Sequence, residues 1–355
     1  MKILMLCSGD RAPATRFRMY PFARHLRLAG HRCRIANSFP QKYDYFPWMG
    51  FRPSQLLKRG VRILHYLQSR LLRDEIVIVE REVFDHPTSF IEEWFRKSTR
   101  RLVLDLDDGV FLRYPEKFER LVPIADLVIC GNSEIEDWIR PRNARTILIP
   151  TCVEMASYPE KDWSAATDRP VRIGWIGTTG NLKYFAVAAA ALRRLAEIHP
   201  FEFRVIVPDT GPLANIDLQG VNVHSVTWDK HREVDQLREI DIGIMPLFST
   251  DEWDKYKCGL KLIQYMAVGM PAVASPVGVN ASIVSHGVDG CLARNDAEWY
   301  DCLKQLLESE DQRRRLGKAA RDTVTEQYSV EANFPRFESA LRQLLEHDDS
   351  PRGNV

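Results

Sequence analysis

Lys257-Cys258-Gly259-Leu260-Lys261-Leu262-Ile263-Gln264-Tyr265-Met266-Ala267-Val268-Gly269-Met270-Pro271-Ala272-Val273-Ala274-Ser275 reads as a loop, a short helix, a tight turn and a buried strand. Leu260, Ile263 and Ala267 recur at helical spacing beside a basic and amide-bearing face made by Lys257, Lys261 and Gln264. Gly269 ends the helix, because glycine takes the left-handed conformation needed there without a steric cost. Pro271 leads into Ala272, Val273 and Ala274, an apolar run typical of a strand covered on both faces. A helix start exposes unpaired N–H groups and the positive end of the dipole. Gly259 there, with two lysines beside it, makes an anion site. The anion that fits is a diphosphate; the alternative is a surface helix with solvated lysines.

The same alternation of buried strand and helix runs outward from this stretch in both directions, the signature of an open parallel sheet. Strands are predicted at Ile3 to Cys7, Arg32 to Ala36, Ile76 to Glu80, Leu102 to Leu106, Leu127 to Cys130 and Thr146 to Ile149. A second series follows at Ile173 to Ile176, Phe203 to Val207, Val221 to His224, Ile242 to Met245, Ala272 to Ala274 and Cys291 to Ala293. Between the two, Thr151 to Pro170 carries Pro159, Asp162, Ser164 and Asp168 without periodicity and reads as a linker. The 355 residues are about twice a usual domain of roughly 150, so two α/β domains are expected. Their spans are 1–160 and 161–328, with a terminal helix and tail at 329–355.

Hydrophobic residues make up 45% and charged residues 27%, which excludes disordered and fibrous classes. Seven cysteines stand singly with no C-x-x-C pair, so metal ribbons and disulfide frameworks are not expected, and a reducing cytoplasm is. The start, Met1 to Cys7, is too short an apolar run for a secretory signal, and no run is long enough to cross a bilayer. The net charge of +1 hides an asymmetry: from Arg11 to Arg73 there are fourteen Lys and Arg against the single acid Asp44. Such a block marks a surface facing an anionic partner, whether lipid, nucleic acid or phosphorylated substrate.

In open parallel sheets ligands bind beyond the carboxyl ends of strands. After the first strand, Ser8 to Arg18 is a polar loop opening into a helix, where Arg16 and Arg18 are candidates to hold a phosphate by bidentate bonds. Arg81 follows the third strand. Asp107 and Asp108 follow the fourth, a carboxylate pair able to bind a metal, orient a hydroxyl, act as a base or structure the loop. Asn132 reads as a helix cap. Residues 40–72 combine Tyr43, Tyr45, Phe46, Trp48 and Phe51 with a helix whose Leu57, Val61, Leu64, Leu67 and Leu71 share one stripe, while Lys58, Arg59, Arg62 and Arg70 lie off it. Such a helix either docks in a membrane interface or packs its stripe on the sheet. Gly174 to Gly180 is a glycine-bearing strand-to-helix turn suited to phosphate. Its G-x-x-G-x-x-G spacing and the lack of a following acid argue against a nicotinamide cofactor.

The run K-C-G-x-K-x-x-Q-Y-M-A-x-G-x-P-x-x-A-S-P-x-G-x-N from Lys257 to Asn280 resembles the donor-binding signature of glycosyltransferase family 4 (glycosyl transferases group 1), close to a bacterial branch. The resemblance implies the GT-B fold: two Rossmann-like domains with a cleft between them, and a C-terminal helix, here Val330 to Leu345, crossing back to the first domain. It implies a retaining, metal-independent transfer of a sugar from a nucleoside-diphosphate sugar, a co-substrate rather than a cofactor, to a glycan or lipid-linked acceptor. Lys257, Lys261 and the amides of Cys258, Gly259 and Leu260 would neutralise the diphosphate, with Gly177, Thr178 and Lys183 facing it from the glycine turn. Trp228 would face the base and Gln264 the ribose. Arg16, Arg18, Arg81, Asp107 and Asp108 would face the acceptor. The family places two glutamates eight positions apart on the donor, and this chain has Tyr256 and Gln264 there. Tyr256 cannot serve as a carboxylate, which keeps a non-catalytic nucleotide-sugar-binding or scaffold homologue in view. The branch suggests bacterial surface polysaccharide synthesis. The further expectations are a cytoplasmic protein with peripheral contact to an anionic membrane and no nucleic-acid partner. A phosphorylase or epimerase on the same fold, and a nucleic-acid module using the basic block, are the remaining rivals.

Overall fold

The structure, a computed structural model, describes residues 1–143, 145–164 and 169–346, without the side chains of residues 214 and 215. Residues 165–168 of the expected linker, Asp168 among them, and 347–355 of the expected tail lie outside the described residues. The chain divides into two compact units, Met1–Cys152 together with the segment from Asn333, and Val153–Ala332. Val153 belongs to the second unit through two backbone bonds, its N–H to Tyr328 O and its O from Val330 N–H, each 3.0 Å.

The first unit holds a parallel sheet of β1 (Lys2–Cys7), β2 (Arg32–Asn37), β3 (Ile76–Glu80), β4 (Arg101–Leu106), β5 (Leu127–Cys130) and β6 (Thr146–Leu148), in the order β2-β1-β3-β4-β5-β6. Every residue of β3, β4 and β5 is buried, as mainly apolar strands covered on both faces require, and their polar members Glu80, Arg101 and Asp105 are each hydrogen-bonded. The second unit holds β7 (Val171–Ile176), β8 (Phe201–Val207), β9 (Val223–Thr227), β10 (Ile242–Met245), β11 (Ala272–Ala274) and β12 (Cys291–Leu292), in the order β12-β11-β10-β7-β8-β9. Its core gathers Trp175, Phe185, Phe203, Ile244, Val273, Trp299 and Leu303. Strand order reverses between β1 and β3 in one sheet and between β7 and β10 in the other. Each reversal opens a crevice where the two crossovers leave in opposite directions, and ligands bind there.

The Phe51–Leu72 helix departs from the expectation that its stripe packs on the sheet. Leu57 and Val61 are half-buried, but Leu64, Leu67 and Leu71 face out, and Ser54, Lys58, Arg62 and Ser69 face in. The reason lies beneath it. Arg62 donates from Nη1 to Ala36 O and from Nη2 to Cys7 O, both at 2.7 Å, and Lys58 Nζ donates to Lys42 O at 2.7 Å and Asp44 O at 3.1 Å. Strand ends and a buried loop leave carbonyls that need donors, and long cationic side chains supply them. Much of the basic block is consumed in this way. Arg18 and Lys42 are also buried, on Asp105 and Glu82.

The Val330–Glu346 helix begins in the second unit and from Asn333 belongs to the first. There Phe337 meets Phe22 with ring centroids 4.6 Å apart, Glu338 accepts from His31 Nε2 at 2.7 Å, and Arg101 Nε donates to Leu344 O at 2.6 Å.

Candidate donor and acceptor sites

In the second unit the expected donor residues converge at the β7/β10 reversal. Gly259 caps the Leu260–Ala267 helix in the left-handed conformation, φ 66°, where an added Cβ would overlap Ile283 Cδ1. The first intrahelical bond is Ile263 N–H to Gly259 O at 3.2 Å, so the amides of Leu260, Lys261 and Leu262 precede the ladder and point out of the helix start. Cys258 and Leu260 are half-exposed beside them. Lys261 reaches across to β7: a Cβ on Gly177 would stand 3.0 Å from Lys261 Cε, and Lys261 Nζ lies 5.5 Å from the Trp175 ring. Lys257 Nζ and Lys183 Nζ lie 5.4 and 5.1 Å from the centroid of one ring, Tyr184. Lys183, distant in sequence, thus shares the Tyr184 ring with Lys257 while its Nζ lies 3.4 Å from Asp251, and Lys261 stands at the helix start, where positive charge favours a polyanion.

Gly177 contributes differently from the expectation. Its N–H donates to Ile206 O at 3.0 Å and is not an open phosphate donor. What it supplies is the missing side chain, because a Cβ would overlap the Trp175 ring and crowd Lys261. Thr178 is exposed next to it.

Trp228 and Gln264 meet through a residue that the sequence reading missed. Glu233, in the first turn of the Glu233–Arg238 helix, accepts from Trp228 Nε1 at 2.7 Å and from Gln264 Nε2 at 2.9 Å. Gln264 is buried and donates also to Tyr158 Oη at 3.1 Å, so its amide nitrogen is committed to the protein rather than open to a ribose. The carboxylate of this cluster comes from Glu233, five positions after Trp228, where an acid in a first helical turn reads as an ordinary cap. Asp254 was also missed. Fully buried, it accepts from Tyr184 Oη and from Phe248 N–H at 3.1 Å, and lies 3.6 Å from Lys257 Nζ. Its place three residues before Lys257 is the only sequence signal. Tyr256 is buried. Ser275 and Asn280 brace the chain after β11: Asn280 Nδ2 donates to Ser275 O at 3.1 Å, and Ser275 Oγ accepts from Leu247 N–H at 3.1 Å.

In the first unit, at the β1/β3 reversal, the arginines correct the reading. Arg18 is buried, donating through Nε and Nη2 to Asp105 at 2.6 and 3.0 Å and through Nη1 to Ile149 O at 3.0 Å. Its fork is spent within the protein and cannot hold a phosphate. Arg81, at φ 58° directly after β3, donates from Nε and Nη2 to Asp107 at 2.5 and 2.9 Å and lies 3.5 Å from Asp108. Its charge is matched by two carboxylates, so it is not the open anion site expected. Asp107 is buried; burial works to raise its pKa, but the Arg81 pairing outweighs it and holds the carboxyl below its ordinary value. An ionised carboxylate held at both oxygens is a poor base, and Asp108, partly exposed, is the member of the pair that a ligand can reach. Arg16 also stays half-exposed, its guanidinium 4.9 Å from the Phe17 ring centroid. Asn132 caps its helix through Oδ1, from Ile135 N–H at 2.9 Å. Among the described residues, no group of three or more His, Cys, Asp or Glu could hold a metal ion.

Two Rossmann-like units with these strand orders define the GT-B class. Sucrose-phosphate synthase from Thermosynechococcus elongatus superposes with a TM-score of 0.74 at 14% identity, covering 98% of this chain and 100% of that one. Anabaena HepE in complex with UDP superposes with a TM-score of 0.64 at 15% identity, covering 97% and 100%. The family model of the glycosyl transferases group 1 matches residues 170–309, all within the second unit. An N-acetyl-alpha-D-glucosaminyl L-malate synthase of Bacillus anthracis is 31% identical over 97 residues, 27% of this chain, and the match spans only 26% of that relative's length.

Proposed function

We propose that the chain is a glycosyltransferase that moves a sugar from a nucleoside-diphosphate sugar to a glycan or lipid-linked acceptor. The observation that carries the reading is the convergence of Lys183, Lys257 and Lys261 with the Leu260–Ala267 helix start at the β7/β10 reversal. Charge that develops on a departing diphosphate is stabilised by donors already in place, the largest source of rate in such reactions. HepE, solved with UDP, supports a nucleoside diphosphate as the ligand to try first. Metal independence is part of the reading, as the family resemblance implies, with lysines and helix-start amides available to neutralise the diphosphate. The reading includes retention of anomeric configuration by front-face reaction and a role in bacterial surface polysaccharide synthesis, both as the family resemblance implies.

Calorimetric titration with UDP, GDP, ADP and NAD tests the donor half. One nucleoside diphosphate binds selectively, and Lys261→Ala weakens it about tenfold or more, the loss of one charge-assisted contact. No binding, or equal binding by the variant, defeats the reading. Turnover persisting in EDTA, with an unchanged anomeric coupling constant in the product, checks the metal and stereochemical parts. A second reading is favoured by Tyr256 and the buried Gln264: a non-catalytic nucleotide-sugar-binding homologue, which binds donor but neither hydrolyses nor transfers it.

A further inference from the structure

The Phe51–Leu72 helix turns its leucines to solvent and its cations to the protein. At 3.6 residues per turn, Leu56, Ile63, Leu64, Leu67 and Leu71 fall within an arc of about 100° directly opposite the buried Ser54, Lys58, Arg62 and Ser69. All five are exposed, Leu71 to 81%. The exposed Arg52, Arg59 and Arg70 line one flank of the arc. The loop before the helix extends the same character, with Tyr43, Tyr45, Phe51 and Trp48 exposed, the last to 78%. They are braced rather than loose: Phe46 stacks on Trp48 at 5.8 Å, and Tyr45 meets Phe51 edge-on at 5.9 Å. A contiguous apolar face of this extent on a soluble unit marks an interaction surface.

Charge selects the occupant. From Tyr45 to Arg73 there is no acidic residue, and the exposed cations sit beside the leucines. A second copy meeting the same face symmetrically would bring Arg52, Arg59 and Arg70 against their own counterparts. A bilayer bearing anionic headgroups accepts leucines and tryptophan at the acyl boundary and arginines at the headgroups, and the buried polar face keeps the helix parallel to the surface. No helix among the described residues is long and apolar enough to cross a membrane, so the contact is interfacial. We propose that the outward face of the Phe51–Leu72 helix, with the Tyr43–Phe51 aromatics, docks in the interface of an anionic phospholipid bilayer. This surface stands on its own and does not require the transfer reaction.

The test is co-sedimentation of the full chain with phosphatidylcholine vesicles, with and without phosphatidylglycerol, at low and high salt. The wild type partitions onto the anionic vesicles at least about tenfold better than onto the neutral ones, and added salt reduces the difference. The triple variant Leu64→Glu, Leu67→Glu, Leu71→Glu loses binding about tenfold or more, while its circular dichroism stays that of the wild type, because these side chains touch no core. Arg52→Gln, Arg59→Gln, Arg70→Gln loses the anionic preference and keeps weak binding to both vesicles. A wild type that stays in the supernatant at low salt overturns the proposal, as does binding that survives the glutamates. A dimer in light scattering that the glutamate variant dissolves also overturns it, assigning the face to a second copy of the chain.

Discussion

Arg18 shows how a residue with the right chemistry for a ligand is spent on the fold. Burial works against its charge, and the Asp105 carboxylate more than compensates, so the guanidinium stays protonated. Removing it strands Asp105 as a buried, unpaired carboxylate. Arg18→Ala is therefore expected to cost about 3–5 kcal/mol in urea unfolding, and Arg18→Lys to recover only part, because an ammonium cannot fill a two-oxygen fork. A variant as stable as the wild type, but defective toward acceptor, would return Arg18 to the acceptor site. The two glycines bounding the Leu260–Ala267 helix make a matched pair. Gly259 and Gly269 both have positive φ, 66° and 74°. A Cβ at Gly269 meets only the flexible Glu160 side chain at 3.2 Å, whereas one at Gly259 overlaps Ile283. Gly269→Ala should cost about 1 kcal/mol, the left-handed penalty alone, and leave nucleotide binding intact. Gly259→Ala should cost more and weaken nucleotide binding, since the helix start must move; equal behaviour of the two in melting and titration would contradict this.

At the scale of the element, the Phe51–Leu72 helix is where periodicity misleads. The stripe of Leu57, Val61, Leu64, Leu67 and Leu71 is legible, but which side faces the protein is decided by what lies underneath. Here that is a set of carbonyls, at Cys7, Ala36, Lys42 and Asp44, and no sequence pattern announces them. Seating cations without carboxylates has a measurable consequence. Burial lowers Arg62 to about 10, and burial, with Arg62 and Arg34 nearby, lowers His65 from 6.5 to about 4. In the pH range between those two His65 values the unfolded chain binds a proton that the folded one refuses. Stability from this site is thus fully present above about 6.5 and is lost as pH falls through about 4. The urea midpoint should drop across that window, and His65→Gln should flatten that part of the drop; an unchanged profile in the variant would place the acid sensitivity elsewhere. Arg62→Ala, which takes one donor from Ala36 O and one from Cys7 O, the latter keeping Ser38 N–H at 3.0 Å, should lower stability by about 1–3 kcal/mol at neutral pH.

For the whole molecule, the strands among the described residues were legible because mainly apolar runs such as Ile76–Glu80 and Leu127–Cys130 admit little else, and β9 slid, to Val223–Thr227, where the residues are mostly exposed. Lys257, Gly259 and Lys261 could be placed together because they lie within five residues of one another at one helix start. Glu233 and Asp254 were not, because each acts on a partner through the fold: Glu233 reaches Gln264 across 31 residues, and Asp254 reaches Tyr184 across 70. The most non-local feature is the terminal helix. From Asn333 it completes the first unit, although three hundred residues of sequence separate His31 from Glu338. Deleting residues 333–355 uncovers Phe22 and takes Leu344 O from Arg101 Nε and Glu338 from His31 Nε2, all in the first unit, while the donor residues at the β7/β10 reversal keep the partners named above. Each unit has its own core, so the two need not unfold together. In calorimetry the truncated protein should show a transition shifted down by several degrees for the first unit, with the transition of the second unit in place. The nucleoside diphosphate that binds the full chain should still raise that second transition, because it binds folded protein only. A single transition lowered as a whole, with nucleotide binding lost, would mean that the terminal helix supports both units and that the donor site depends on the first.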